Sequence, residues 1–143
     1  MQRHRLAGLR VVLVDDDADG LEIARVMLEG EGAEVRCAAS AAAALRLLSA
    51  DPPDAVLCDI SMPEHDGFWL LREVRALAAG HASRVPFAAL TAHASAATRQ
   101  QVLAAGFAGH VTKPADPDTL VGAVLELTGR HTPPAGRSDD EPR

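Results

Sequence analysis

Five short apolar runs, each followed by a helix-patterned stretch, constrain this chain more than any other feature. A β-rich run followed by a helical run, repeated along the chain, implies βαβ units around a parallel sheet. The first run, Leu9–Val14, is apolar throughout except for Arg10. A strand apolar on both faces suits a sheet covered by helices on both sides. Further strands are expected at about 34–38, 55–58, 86–90 and 107–111. A helix is expected from about Asp19, with Leu21, Ile23, Val26, Met27 and Leu28 on its apolar side and Gly30 and Gly32 ending it. Ser40 is positioned to cap an alanine-rich helix through Leu48, which Asp51-Pro52-Pro53-Asp54 breaks. The next helix carries Phe68, Leu70, Leu71, Val74 and Leu77. Ser95 begins an alanine-rich helix whose main apolar anchors are Val102 and Leu103, and Asp116 or Asp118 begins the last helix. From His131 onward proline, glycine, serine and charge dominate, which predicts a disordered tail over 131–143. Residues 1–8 read as an N-terminal extension, and 9–130 as one domain.

The ends of four of these strands carry polar groups: Asp15-Asp16, Asp59, Thr91 and Lys113. In an open parallel sheet the ligand site lies beyond the carboxyl ends of the strands. Right-handed crossovers bring those ends to one edge. Lys113 is the only lysine among fourteen basic residues, so a compact ammonium stands where arginine is used everywhere else. Clustered carboxylates repel unless a cation is present. A hard divalent ion with oxygen ligands, Mg²⁺ rather than zinc, suits them. The hydroxyl and the ammonium suit phosphoryl oxygens, and a carboxylate can itself be the nucleophile that forms an aspartyl-phosphate.

Composition excludes several alternatives. Three Phe, one Trp and no Tyr leave too few aromatics for a base-stacking surface, and a net charge of −6 disfavours a nucleic-acid partner. Cys37 and Cys58 sit in apolar runs and read as small buried hydrophobes of a reducing compartment. The six histidines show no zinc spacing. No signal or spanning segment is visible, so the expected location is cytoplasmic, with no membrane partner.

The stretches VVLVDDD, DISMPEHDGF, LTAH and HVTKP, in that order, resemble the receiver domain of two-component response regulators over about residues 8–130. The resemblance implies a flavodoxin-like (βα)5 fold, with a doubly wound five-stranded parallel sheet of order 2-1-3-4-5. It implies that Asp59 is the phosphoacceptor, served by a histidine kinase or histidine phosphotransfer protein. Asp15, Asp16, Asp59 and the Ser61 backbone carbonyl would hold Mg²⁺. Thr91 would be the switch hydroxyl and Lys113 the ammonium that contacts the phosphoryl group. The Lys113–Pro114 bond falls at a family position that is cis. His110 departs from the pattern: it stands where Tyr or Phe is usual, as in receivers of hybrid kinases. Such a domain is a phosphoacceptor rather than an enzyme, a monomer or weak dimer with a downstream protein partner that the sequence does not name. The chain is either a stand-alone receiver or the terminal segment of a hybrid kinase.

Two other readings compete. An aspartyl-nucleophile phosphohydrolase would use the D-x-D of Asp15-Asp16-Asp17, but no acidic pair follows Lys113. A receiver-like interaction module that is never phosphorylated would not need the complete set of site residues. Asp17 is expected to be a loop charge or helix cap, with a role behind the metal ligands as the alternative. His65 and His93 are expected to be exposed, and Trp69 to pack.

Overall fold

A computed structural model describes residues 4–77, 80 and 82–130. The expected tail over 131–143 lies outside the described residues. Five strands and five helices alternate: β1 (Arg10–Val14), α1 (Ala18–Glu29), β2 (Glu34–Ala38), α2 (Ala41–Ala50), β3 (Ala55–Asp59), α3 (Gly67–Arg75), β4 (Phe87–Thr91), α4 (Ala96–Ala105), β5 (Gly109–Thr112) and α5 (Pro117–Thr128). The strands form one parallel sheet in the order β2-β1-β3-β4-β5, the flavodoxin-like arrangement.

Strand periodicity divides the core in two. Val12, Val14, Val56, Cys58, Phe87 and Ala89 pack with α2, α3 and Val102 of α4 on one face. Val11, Leu13, Leu57, Ala88, Leu90 and Val111 pack with α1 and α5 on the other. Both faces are covered, which is why β1, β3 and β4 read as unbroken apolar runs. All three Phe gather on the first face: Phe107 meets Phe68 edge-on at 5.6 Å and Phe87 at 6.1 Å.

The caps explain where helices begin. Ser40, Asp66, Ser95 and Asp116 each accept a hydrogen bond from the backbone N–H three residues on. Of the two candidates for α5, Asp116 is the cap. Asp17 occupies the cap position of α1 but makes no side-chain capping bond.

Several local expectations are corrected. Strand β5 begins at Gly109 rather than Phe107, because the Phe107 N–H closes the end of α4 on the Val102 carbonyl, with Gly106 left-handed at φ 110°. In α1, Ile23 and Val26 are each 56% exposed, since Leu21, Ala24 and Leu28 already occupy the sheet-facing side. In α4 only Val102 is buried, and Leu103 is exposed. Cys37 is half-buried because it lies on edge strand β2. The chain before β1 is also packed. Leu6 is fully buried, and Leu6 N–H donates to the Glu31 carbonyl at 2.9 Å. Burial of such a side chain contributes about 1.5–3 kcal/mol. Among the described residues, no helix is long and apolar enough to cross a membrane.

Candidate functional site

The carboxyl ends of β1, β3 and β5 bring Asp15, Asp16, Asp59 and Lys113 together. One oxygen from each of the three carboxylates lies within 4.8 Å of the other two. Asp15 and Asp59 are 4% and 6% exposed, while Asp16 is exposed at the rim. The Lys113 ammonium donates to Asp59 Oδ2 at 2.9 Å and to Asp15 Oδ2 at 3.1 Å. The remaining oxygens are held by backbone. Asp17 N–H donates to Asp15 Oδ1 at 3.0 Å, and Ser61 N–H donates to Asp59 Oδ1 at 2.8 Å. Each carboxylate therefore accepts from the amide two residues on, an Asx-turn geometry, and from the same lysine.

Two buried acids and one half-exposed lysine leave the pocket short of positive charge. Burial pushes the Asp59 carboxyl above its ordinary value, the Ser61 amide and Lys113 oppose that rise, and the Asp15 charge adds to it. Burial works to lower the Lys113 pKa, but its bonds to Asp59 and Asp15 outweigh this and raise it. The two partners thus shift in the same direction, where a self-sufficient ion pair would depress its acid. Burial and the second carboxylate are what one ammonium fails to offset. The donor set is hard oxygen on a compact acidic cluster, which fits a hard divalent cation. Cys58 lies beside this cluster, but burial pushes its thiol far up, so it offers no thiolate.

Gly67 permits the turn that follows Asp59. A Cβ there would stand 2.7 Å from the Asp59 carbonyl oxygen and 3.0 Å from Ile60 Cα. Only glycine lets α3 start this close to the end of β3.

Thr91 ends β4 and is 2% exposed. Its hydroxyl is engaged within its own loop, accepting from His93 N–H at 3.0 Å and donating to the His93 carbonyl at 3.3 Å. His110 lies off the cluster, opposite Ala89 in the β4–β5 register. Among the described residues no group bonds its buried Nε2. His93 is exposed. His65 is exposed too, but its ring stacks on Trp69 at 3.9 Å and 15°, a contact that sequence reasoning missed. Trp69 packs against the core, as expected. The Lys113–Pro114 bond is cis.

The family model of the response regulator receiver domain matches residues 11–125. The chain belongs to this family. A 14.6 kDa uncharacterized protein encoded 3′ of sodA1 in Leptolyngbya boryana is 43% identical to this receiver over 121 residues, which are 85% of this chain and 91% of that one. The sensor histidine kinase GacS of Pseudomonas protegens is 35% identical over 121 residues, 84% of this chain but only 13% of the kinase. Among solved structures, the receiver domain of a sensor histidine kinase of Pseudomonas aeruginosa, with a magnesium ion coordinated in its active-site cleft, is 32% identical with TM-score 0.77. It aligns over 86% of this chain and 99% of that one. The receiver described here thus corresponds to most of a small protein in one relative and to a small part of a kinase in another.

Proposed function

We propose that Asp59 accepts a phosphoryl group from the phosphohistidine of a histidine kinase or histidine phosphotransfer protein. An Asp59 oxygen forms the new O–P bond as the N–P bond breaks and the histidine leaves. The observation that carries this reading is the pair of bonds from Lys113 to Asp59 and Asp15, which joins the third and first strand ends to the fifth in one acidic pocket. Asp15, Asp16, Asp59 and the Ser61 backbone carbonyl would hold Mg²⁺, which neutralises charge on the transferring group. Lys113 contacts a phosphoryl oxygen. Thr91 gives up its bonds to the His93 backbone and turns toward the new charge, and His110 responds at the switch position on β5.

Phosphorylation adds close to two negative charges at Asp59. The loop after β4 and helix α4 shift in response, because α4 is anchored by one buried residue, Val102. A downstream protein reads the altered face of α4, β5 and α5. The domain acts in the cytoplasm as a monomer or weak dimer, with no nucleic-acid partner, and is a phosphoacceptor rather than an enzyme with an external substrate. The phosphohydrolase reading is not favoured, since the chain belongs to the receiver family.

Trp69, the only tryptophan, follows the Asp59 loop and stacks on His65, so it is a native probe. Beryllofluoride with Mg²⁺ is expected to change its fluorescence saturably in wild type and not in Asp59→Asn. The same saturable change in both proteins would refute the reading.

A further inference from the structure

The residues just before β1 make contacts that the site described above does not use. Arg5 binds Glu31 through a fork, Nε to Oε1 at 3.1 Å and Nη2 to Oε2 at 2.9 Å. The same Nη2 donates to Asp118 Oδ1 at 3.0 Å. Glu31 follows the end of α1, and Asp118 lies in the first turn of α5. Beside this clamp, Leu6 is fully buried among Leu9, Leu28 and the α5 residues, and Arg130 Nη1 donates to the Ala7 carbonyl at 2.6 Å. Gly32, at φ 97°, lets Ala7 approach: a Cβ there would meet Ala7 Cα at 3.1 Å. Residues 5–7 are thus tied to the α1–β2 turn and to both ends of α5.

Leu28 of α1 packs with the core residues of α5, but part of the seam between α1 and α5 stays open. A cleft of about 430 Å³ runs between them, lined by Leu13, Leu21, Met27, Leu90, Leu120 and Lys113. Side-chain packing is therefore incomplete along this seam. Lys113 forms part of the cleft wall, and its chain leads through Pro114 and Ala115 into the Asp116 cap and then Asp118. Where the first turn of α5 is held limits how far Lys113 can move.

We infer that Arg5 is a positioning residue for Lys113: by fastening the first turn of α5 to the end of α1, it pre-sets the ammonium against the phosphoacceptor pocket. The inference rests on the phosphoacceptor reading of Asp59. A pre-set Lys113 meets the phosphoryl group without first ordering its loop, and a freed one must pay that ordering. Arg5 touches no reacting atom and acts only through α5.

The test uses the full chain with saturating Mg²⁺ and titrates beryllofluoride, read by Trp69 fluorescence, alongside amide hydrogen exchange in α5. Arg5→Gln and Asp118→Asn are each expected to weaken beryllofluoride binding about five-fold and to speed exchange at the Leu120 amide. Arg5→Lys should recover part of the loss. A residue with a merely structural role would lower the melting temperature and leave beryllofluoride affinity unchanged. Unchanged affinity in both variants beside a responsive wild type overturns the inference. A wild type that does not respond at all removes the phosphoacceptor reading itself, and the inference with it.

Discussion

Asp15, just past the end of β1, and Asp59, the last residue of the neighbouring strand β3, are 44 positions apart in the chain and are held in the same way. Each gives one oxygen to the backbone amide two residues on and the other to Lys113. The pocket is therefore a matched pair of buried acids around one ammonium. Its properties follow from that shortage of positive charge.

Replacing Lys113 with alanine is expected to destabilise the fold by about 1–3 kcal/mol, because two buried carboxylates lose their shared donor. Lys113 is partly open to water, which keeps the loss below that of a fully buried ion pair. Denaturant unfolding with and without Mg²⁺ checks this, and the deficit should shrink when the ion is present.

Stability should also depend on pH through Asp59. Its folded pKa is raised above the model-peptide value of 3.8, so just above that value the folded state binds more protons than the unfolded one. Stability then falls as pH rises through that window. Lys113 acts in the same direction at alkaline pH: its pKa is raised above 10.5, so its contribution is complete below that value and is lost as pH rises through the folded pKa. Asp59→Asn removes the acid-side effect. Without divalent ions it is expected to melt higher than wild type at pH 7 and to flatten the profile just above the ordinary carboxylate value, measured by thermal unfolding.

Mg²⁺ should stabilise wild type by mass action, by about 2.7 kcal/mol at a hundred times its dissociation constant. A thermal shift series in MgCl₂ measures this. Asp15→Asn and Asp16→Asn are expected to reduce the shift strongly, although Asp16 is exposed and its replacement should cost the fold itself little.

Gly67→Ala is expected to cost about 1–3 kcal/mol, because its Cβ would stand 2.7 Å from the Asp59 carbonyl and the neighbouring backbone has to move. The same shift displaces the Asp59 side chain, so the variant should also bind beryllofluoride more weakly. Isothermal denaturation and the Trp69 titration separate the two effects.

The sheet and the acidic cluster were legible in the sequence because burial on both faces writes continuous apolar runs, and strand ends mark the site edge. Asp15, Asp16, Asp59 and Lys113 stand together as those strand ends imply. Other features left weaker marks. The Asp17 and Ser61 amides that orient the carboxylates are backbone donors, which any residue supplies. Ile23 and Val26 look like core because α1 carries more apolar residues than its buried stripe accommodates. Leu6 and Leu9, three apart, were the only sign that the chain is packed before β1. His65 and Trp69 are four apart, the spacing that allowed their rings to meet, but a loop residue gives that spacing no direction. The side of the sheet that His110 faces depends on the β4–β5 register, which only the structure displays.

The central claim is that the Asp59 side chain takes the phosphoryl group. The most direct measurement is intact-mass analysis of the protein after incubation with acetyl phosphate and Mg²⁺. The expected result is a gain of one phosphoryl group by wild type, prevented when EDTA is added before acetyl phosphate and absent from Asp59→Asn. A wild type that gains nothing, or an Asp59→Asn variant that gains as much, contradicts it.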